Sequence, residues 1–504
     1  MTEIAFPSGL MRGVGVIPLR LFRDALRPRA TPRFQDVSVE GISFHSGEAA
    51  HGHLFFAIRG TRTDGKEFAQ QAVQRGAVAV VAEEPLPLQV PVLVVDDARR
   101  ALADAAALYY RKPALEFDVV GITGTNGKTT TVHLVRQCLE ADGQQVGTMG
   151  TIAYEFGGRS IPATNTTPDP MQVQGYLREM KDRNCDACVM EVSSHSLAQE
   201  RVRGVRFAAG VFLNLTPEHL DYHKSMHGYA AAKARLFAQL EPGAHAVLGV
   251  DSPWHETMAG QLRPGVEVLT FGLKRHADVR AEHLRLSLEG TRLTLVMPNG
   301  RVDLLLRLPG LHNVQNALAA SATALALGVS ELTVAHALER AVSVRGRLEP
   351  VPVQRGVRVF VDYAHTPDAL ENVCATLAAM RGSGRLIVVF GCGGDRDRAK
   401  RPLMARAVAR RADVLFMTSD NPRSEDPEAI LDEMEAGLAA PGGRCFRIAD
   451  RREAIRRAIR EARTGDTVLI AGKGHETYQV LRDSVVPFDD RTVAEDALRE
   501  AGEA

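Results

Sequence analysis

The chain predicts an α/β fold of three domains, with a mostly parallel sheet in the central one and a Rossmann-like α/β arrangement in the last. Three observations predict this. At 504 residues it is too long for one ordinary hydrophobic core, and typical domain sizes suggest about three units. Short apolar runs recur along it, each closing in a polar or glycine-rich loop. The stretches between the runs carry helical periodicity, and a repeating strand-helix-strand order builds parallel sheets covered on both faces.

In chain order, residues 1–112 contain the strand-like runs "LFFAI", "VAVVAE" and "VPVLVV" and end at "YYRKP", a proline-marked linker. Residues 113–346 open with "FDVVGITGTNGKTTTVHLVRQCLEADG", a strand, a glycine-rich turn and a helix, and continue through "ACVMEVSS", "AAGVFLNLT" and "HAVLGV". Residues 347–504 add "VRVFVDYA", "RLIVVFGCGG", "DVLFMTSD" and "DTVLIAGKG". Open α/β sheets bind ligands beyond the carboxyl ends of their strands, so chemistry is expected in the loops that follow these runs.

Composition narrows the function. The chain is 45% hydrophobic and 24% charged, and its 61 basic residues balance 61 acidic ones. Nucleic-acid binding needs a concentrated basic excess, so no nucleic-acid partner is expected. The most basic stretch, "RREAIRRAIREAR" (451–463), has apolar positions at helical spacing and reads as a solvated helix face. The opening residues lack the apolar core of a secretory signal, and no run approaches a membrane span, which predicts a cytoplasmic protein without membrane insertion. Six cysteines in so long a chain make no disulfide framework. "CDAC" (185–188) has no second pair to complete a zinc site and leads into an apolar run, so it reads as core packing.

In "GITGTNGKTTT" (121–131) the backbone of Gly124, Thr125, Asn126 and Gly127, with the helix that opens at Lys128, Thr129 and Thr130, forms a candidate phosphate cradle. Lys128 would reach the outer phosphates and the Thr129 hydroxyl would hold Mg²⁺; the plain alternative is a tight strand-helix turn. The spacing departs from G-x-x-x-x-G-K-T, because Ile122 stands where the first glycine belongs. A second candidate lies at "DNPRSEDP" (420–427), where Arg423 follows a strand end. Its guanidinium fork matches a carboxylate bidentately and suggests a carboxylate-bearing ligand, the alternative being a surface pair with Glu425 or Asp426.

The shortened loop G-T-N-G-K-T, together with "MEVSSHSLAQERV", "LNLTPEHLDYH", "YAAAKARLF", "GLHNVQNALAA", "VDYAHTPDAL", "GCGGDRDRAKRP" and "GKGHETYQ", resembles the Mur ligases, relatives of the folylpolyglutamate synthetases. The order of these motifs is that of the branch that adds the third peptide residue to the peptidoglycan precursor. The resemblance implies a UDP-sugar-binding domain at 1–112, an ATP-binding domain at 113–346 and an amino-acid-binding domain at 347–504. It also implies a monomer and an acyl-phosphate reaction, in which ATP phosphorylates the γ-carboxylate of UDP-N-acetylmuramoyl-L-alanyl-D-glutamate and an incoming amine displaces the phosphate. Two Mg²⁺ ions would offset the negative charge that ATP and the carboxylate bring together.

Residue roles follow from the same resemblance. Lys128, Glu191, His219 and Lys233 are implied as catalytic, with Thr129, Glu191, His219 and Lys233, the last as a carbamate, holding metal. Read alone, Lys233 would be a solvent-facing helix lysine, Glu191 a capping or surface residue and His219 an ordinary loop histidine. Asn313, Arg347 and the "DYAH" at 362–365 resemble adenine- and phosphate-contacting positions. Asn165, Thr166, Thr167, Ser193, Gln199 and Arg201 resemble the muramoyl-dipeptide site, and Ser46 the uridine site. There the family's Asp-Ser-Arg is replaced by His45, Ser46 and Gly47.

Asp420, Asn421, Pro422 and Arg423 match the loop of members that add meso-diaminopimelate, and the resemblance implies that Arg396, Gly472 and Glu476 complete the pocket, with Glu476 meeting a substrate ammonium. Members that add lysine generally lack that arginine pattern, and the alternative is the same ligase adding lysine or ornithine. A folylpolyglutamate or cyanophycin-type ligase would lack "DNPR" together with "GKGHETYQ", and a guanine-nucleotide switch would need an N-K-x-D motif that the chain does not show.

Overall fold

The computed structural model describes residues 15–30, 36–60, 63–352, 356–438 and 444–503. The opening stretch read above for a secretory signal falls partly outside them, at residues 1–14. Two compact units divide the chain: Met1–Phe271 with Ala319–Ser330, and Gly272–Leu318 with Glu331–Ala504.

The first unit contains a small parallel sheet whose strands Gly41–Ser43, His53–Phe56, Ala79–Ala82 and Val92–Val94 lie in chain order. Strand residues alternate between two apolar clusters, as a period of two requires. Leu54, Phe56, Val81 and Leu93 pack with Phe22 and Leu102, while Phe55, Val80 and Val92 pack with Ala69 and Ala72. The helix Ala98–Tyr109 on this sheet begins at Asp97, whose carboxylate accepts from the backbone N–H of Arg99 and Arg100.

The larger sheet of the first unit runs Arg159–Pro162, Ala153–Phe156, Val146–Met149, Ala187–Glu191, Asp118–Thr123, Ala209–Phe212, His245–Gly249 and Glu267–Gly272. From Val146–Met149 onward all neighbours are parallel. The first two strands form an antiparallel hairpin. The central strands are buried on both faces, which explains their unbroken apolar runs. Cys185 and Cys188 lie in this core, the packing role the sequence predicts. Strand order matters for function here: Asp118–Thr123 lies between Ala187–Glu191 and Ala209–Phe212, with Glu191 paired to Ile122 and Phe212 to Thr123. The loops that leave these three strands therefore emerge side by side.

In the second unit, a six-stranded sheet runs Glu349–Val351, Arg358–Asp362, Thr467–Ala471, Leu386–Cys392, Val414–Ser419 and Arg444–Arg447, parallel except for its first pair. Phe360, Val388, Phe390 and Met417 fill one face, and Val361, Ile387, Val389 and Phe416 the other. An antiparallel trio, Val279–Ser287, Gly290–Met297 and Gly300–Leu306, also belongs to this unit and has no counterpart among the sequence-level strands.

The basic stretch at 451–463 forms the helix Arg451–Glu461, burying Ala454, Ile455, Ala458 and Ile459. Arg451 itself departs from the solvated-face expectation. It is 1% exposed and forks onto Asp490, with Nε and NH2 each 2.7 Å from a carboxylate oxygen. Among the described residues no helix is long and apolar enough to cross a membrane.

Candidate active site

The phosphate-loop strand ends at Thr123, and the chain turns through Gly124, Thr125, Asn126 and Gly127 into the helix Lys128–Ala141. Gly127 has φ 91°, a left-handed conformation that glycine enters without steric cost. The loop is braced by the neighbouring strand's exit. Asn214 accepts from Asn126 N and donates to Asn126 O, both at 3.0 Å, and Thr125 Oγ1 lies 3.2 Å from the Tyr229 hydroxyl. Lys128 Nζ folds back over the loop, donating to the carbonyls of Gly124 at 2.9 Å and Thr125 at 2.8 Å. Thr130 is buried beside them.

Glu191 is buried at the end of its strand rather than exposed or capping a helix. Its Oε1 accepts from Thr129 Oγ1 at 2.9 Å and from Thr151 N at 2.8 Å, and its Oε2 from Thr151 Oγ1 at 3.2 Å. A carboxylate and a hydroxyl thus meet at the positive end of a helix. Lys233 is also buried, at 1% exposure, so the solvent-facing default for such a lysine does not hold. Its Nζ donates to Gly124 O at 2.8 Å and lies 4.6 Å from the Tyr229 ring centroid. Burial, and then the nearby Lys128 charge, push its pKa well below the ordinary lysine value.

His219 has φ 55° at the start of a short helix, with its ring 4.6 Å from that of His195 and 6.2 Å from that of Tyr229. Burial, followed by the charges His219 and His223 would carry, lowers His195 to about 4. His223 stacks on Tyr229 and shares a 2.9 Å hydrogen bond with Ser194.

The proposed dipeptide residues gather at the same strand ends. Thr167 Oγ1 donates to Glu191 O at 2.8 Å and accepts from Ser193 N at 3.1 Å. Arg201 donates to Thr167 O at 2.9 Å and, through Nε and NH2, to Gln199 Oε1 at 3.0 and 2.8 Å. Thr166 Oγ1 sits 3.1 Å from Thr151 Oγ1, and the Asn165 carbonyl accepts from the Tyr154 hydroxyl at 2.7 Å. Ser46 lies apart from this group in sequence and begins a short 3₁₀ turn after the strand Gly41–Ser43.

The second unit carries the other candidate pocket. Pro422 O would lie 1.8 Å from any Cβ at Gly394, so the 393–396 loop and the 420–423 turn approach as closely as they do only because Gly394 lacks a side chain. Arg423, with φ 52°, donates from NH1 to Gly394 O at 2.8 Å. The alternative of a pair with Glu425 or Asp426 fails. Both Glu425 oxygens accept from buried Arg401 at 2.8 Å, and Asp426 caps the next helix through Glu428 N. Arg396 is exposed, and its Cγ and the Arg423 NH1 lie 3.5 and 3.0 Å from where a Cβ on Gly393 would stand.

Asp420 and Asn421 are buried, and Gly472 passes within reach of the Asp420 carboxylate. Glu476 Oε2 accepts from Asn421 Nδ2 and from Lys473 Nζ, each at 2.9 Å. Burial alone would raise Glu476, but the Lys473 charge and the hydrogen bonds from Lys473 and Asn421 hold it below the usual range. Nearby, the Arg347 guanidinium lies 4.9 Å from the Tyr363 ring centroid, and Asp362 accepts from Leu348 N and Ala364 N. Asn313 is buried, donating to Pro309 O at 2.8 Å.

Thr151, Tyr229, Arg401 and Lys473 carry no role in the sequence reading. Thr151 lies outside the motifs, while Tyr229, Arg401 and Lys473 lie within "YAAAKARLF", "GCGGDRDRAKRP" and "GKGHETYQ" but gain their partners only on folding.

A glycine-rich strand-to-helix loop with a carboxylate and a hydroxyl at the helix head defines a phosphate-loop nucleotide-binding protein. Three family models match in succession: "Mur ligase family, catalytic domain" at 38–110, "Mur ligase middle domain" at 122–324 and "Mur ligase, glutamate ligase domain" at 346–474. A curated relative from Geobacillus thermodenitrificans, UDP-N-acetylmuramoyl-L-alanyl-D-glutamate--2,6-diaminopimelate ligase, is 46% identical over 92% of this chain and 95% of its own. The relative of the same name from Bacillus velezensis is 44% identical, over 93% and 96%. A solved structure of a ligase with that name aligns at TM-score 0.70 and 32% identity, covering 96% of this chain and 99% of its own. The chain belongs to the Mur ligase family, and its architecture is the family's three-domain α/β one.

Proposed function

We propose that the chain adds meso-diaminopimelate to UDP-N-acetylmuramoyl-L-alanyl-D-glutamate with consumption of ATP, acting as a cytoplasmic monomer in peptidoglycan precursor synthesis. The observation that carries the choice of amino acid is Arg423. Among the described residues its hydrogen bonds reach carbonyl oxygens only, and Glu425 and Asp426 of its turn are engaged elsewhere, so its fork suits a carboxylate that the substrate brings. The names of the relatives point the same way. The domain roles follow as UDP-sugar binding at 1–112, ATP binding at 113–346 and amino-acid binding at 347–504. Asn313 and Arg347 rest on the resemblance alone, as does Ser46.

The substrate γ-carboxylate attacks the terminal phosphorus of ATP, ADP leaves, and the resulting acyl phosphate loses inorganic phosphate when the amine attacks its carbonyl carbon. Backbone N–H groups of the 124–127 loop and Lys128 hold the phosphates, while Thr167, Ser193 and Arg201 orient the dipeptide.

Thr129 and Glu191 offer paired hard oxygens, which fits Mg²⁺, a cation usually held by one or two carboxylates plus ligand phosphates. Mg²⁺ bound there would neutralise charge as two anions approach. Lys233 suits carbamylation because its buried amine is shifted toward the neutral form. Its nitrogen adds to CO₂, a proton leaves to water, and an anionic oxygen donor results. With His219, it would complete the ligands for the second Mg²⁺.

The test is the mass of the product formed from ATP, Mg²⁺, the UDP-muramoyl dipeptide and equal amounts of meso-diaminopimelate and lysine. The expected product is the diaminopimelate tripeptide. A lysine tripeptide overturns the role of Arg423, and no product overturns the ligase.

A further inference from the structure

We infer that Lys473, to which the sequence motifs assign no role, is the positioning residue of the amino-acid pocket, holding Glu476 and the Asn421 amide in the orientation that receives the substrate ammonium. This rests on the amino-acid pocket proposed above. Lys473 is 0% exposed. An ammonium in such a place needs acceptors for its protons, and it has them: Asn421 Oδ1 at 3.0 Å and Glu476 Oε2 at 2.9 Å, with Asp420 Oδ1 at 3.8 Å. The face of Tyr478 lies 5.7 Å from its Nζ.

Two consequences follow from those distances. The Asn421 side chain is fixed in one sense, because Oδ1 accepts from Lys473 Nζ and from Val480 N at 2.9 Å while Nδ2 donates to Glu476. Glu476 is fixed likewise, since its hydrogen bonds from Lys473 and Asn421 both end on Oε2. Oε1 remains the atom for the substrate ammonium. A buried cation beside Asp420 and Glu476 also keeps two carboxylates compatible in one small volume until the second cation, the substrate, arrives.

The experiment is steady-state kinetics of the full-length enzyme with ATP, the UDP-muramoyl dipeptide and meso-diaminopimelate, with lysine replacing diaminopimelate in a parallel wild-type reaction. It compares wild type, Lys473→Met, Glu476→Gln and the double variant. Lys473→Met is expected to raise KM for diaminopimelate about 10- to 100-fold while KM for ATP stays within about twofold. On the Glu476→Gln background the same change is expected to add less than about threefold, because residues that act as a unit are not additive. If Lys473→Met does not fold, Lys473→Gln takes its place in the cycle with the same expectation. An unchanged KM for diaminopimelate, an equal rise on both backgrounds, or a parallel rise in KM for ATP overturns the role of Lys473. A wild type that turns over with lysine and not with diaminopimelate overturns the pocket reading itself, a result separable from the others.

Discussion

Thr129 Oγ1 donates to Glu191 Oε1 at 2.9 Å, tying the head of the phosphate-loop helix to the end of the adjacent strand. The contact exists because parallel pairing of Ala187–Glu191 with Asp118–Thr123 delivers Glu191 opposite Ile122, just short of the loop. Glu191→Gln keeps the shape and removes the charge. Turnover is expected to fall about 10²- to 10³-fold, the usual cost of losing one electrostatic contributor, while KM for ATP changes far less. Steady-state kinetics at saturating Mg²⁺ check this.

Arg423→Ala removes the fork and leaves Gly394 O without that donor. Its kcat/KM for meso-diaminopimelate is expected to drop about 10²-fold or more, because sites built around a charged hydrogen-bond partner discriminate strongly. The rate with lysine should not fall in parallel. Competition between the two amino acids measures the ratio directly.

Lys233→Ala is expected to abolish turnover, and wild-type enzyme in ¹³C-bicarbonate should show a carbamate carbon signal that the variant lacks. A variant that works near the wild-type rate would remove Lys233 from the ligand set.

Arg451 and Asp490 form an ion pair with both side chains 0% exposed. The guanidinium also donates to Ser419 O and Ala471 O, so it ties together two strand ends that lead into the amino-acid pocket. Arg451→Met strands the Asp490 charge, and denaturant unfolding should report a loss on the order of 3–5 kcal/mol. Replacing both partners with apolar residues should recover most of it.

His195, His312 and His475 are each lowered to about 4, burial being the first cause in every case. Below their ordinary pKa of 6.5 the unfolded chain binds protons that the native state refuses. Their contribution is therefore complete above about 6.5 and declines as pH falls toward 4. Urea midpoints taken between pH 7.5 and about 5 should decrease, and His312→Gln should reduce the decrease.

Much of this was legible in the sequence, and the exceptions share a cause. The phosphate loop and the DNPR turn are contiguous motifs, so chain order alone exposes them, whereas Glu191 is singled out only by the family resemblance. Lys473 and Arg401 acquire their partners only on folding. Lys473 meets Asn421 across 52 positions, and Arg401 meets Glu425 across 24. A lysine on a helix of small residues looks solvated, and only packing against Gly124 and Tyr229 turns Lys233 inward. Arg451 shows the same limit: helical periodicity located its helix but not the buried Asp490 that draws its first residue inside. The antiparallel strands Val279–Ser287 and Gly300–Leu306 largely alternate polar with apolar residues, a weaker signal than the continuous runs of the parallel sheets.

The most direct measurement is phosphate release by the purified protein with ATP, Mg²⁺ and UDP-N-acetylmuramoyl-L-alanyl-D-glutamate, run separately with meso-diaminopimelate, lysine and ornithine. The account predicts release with diaminopimelate alone. Equal release with lysine or ornithine, or release that needs no amino acid, would contradict it.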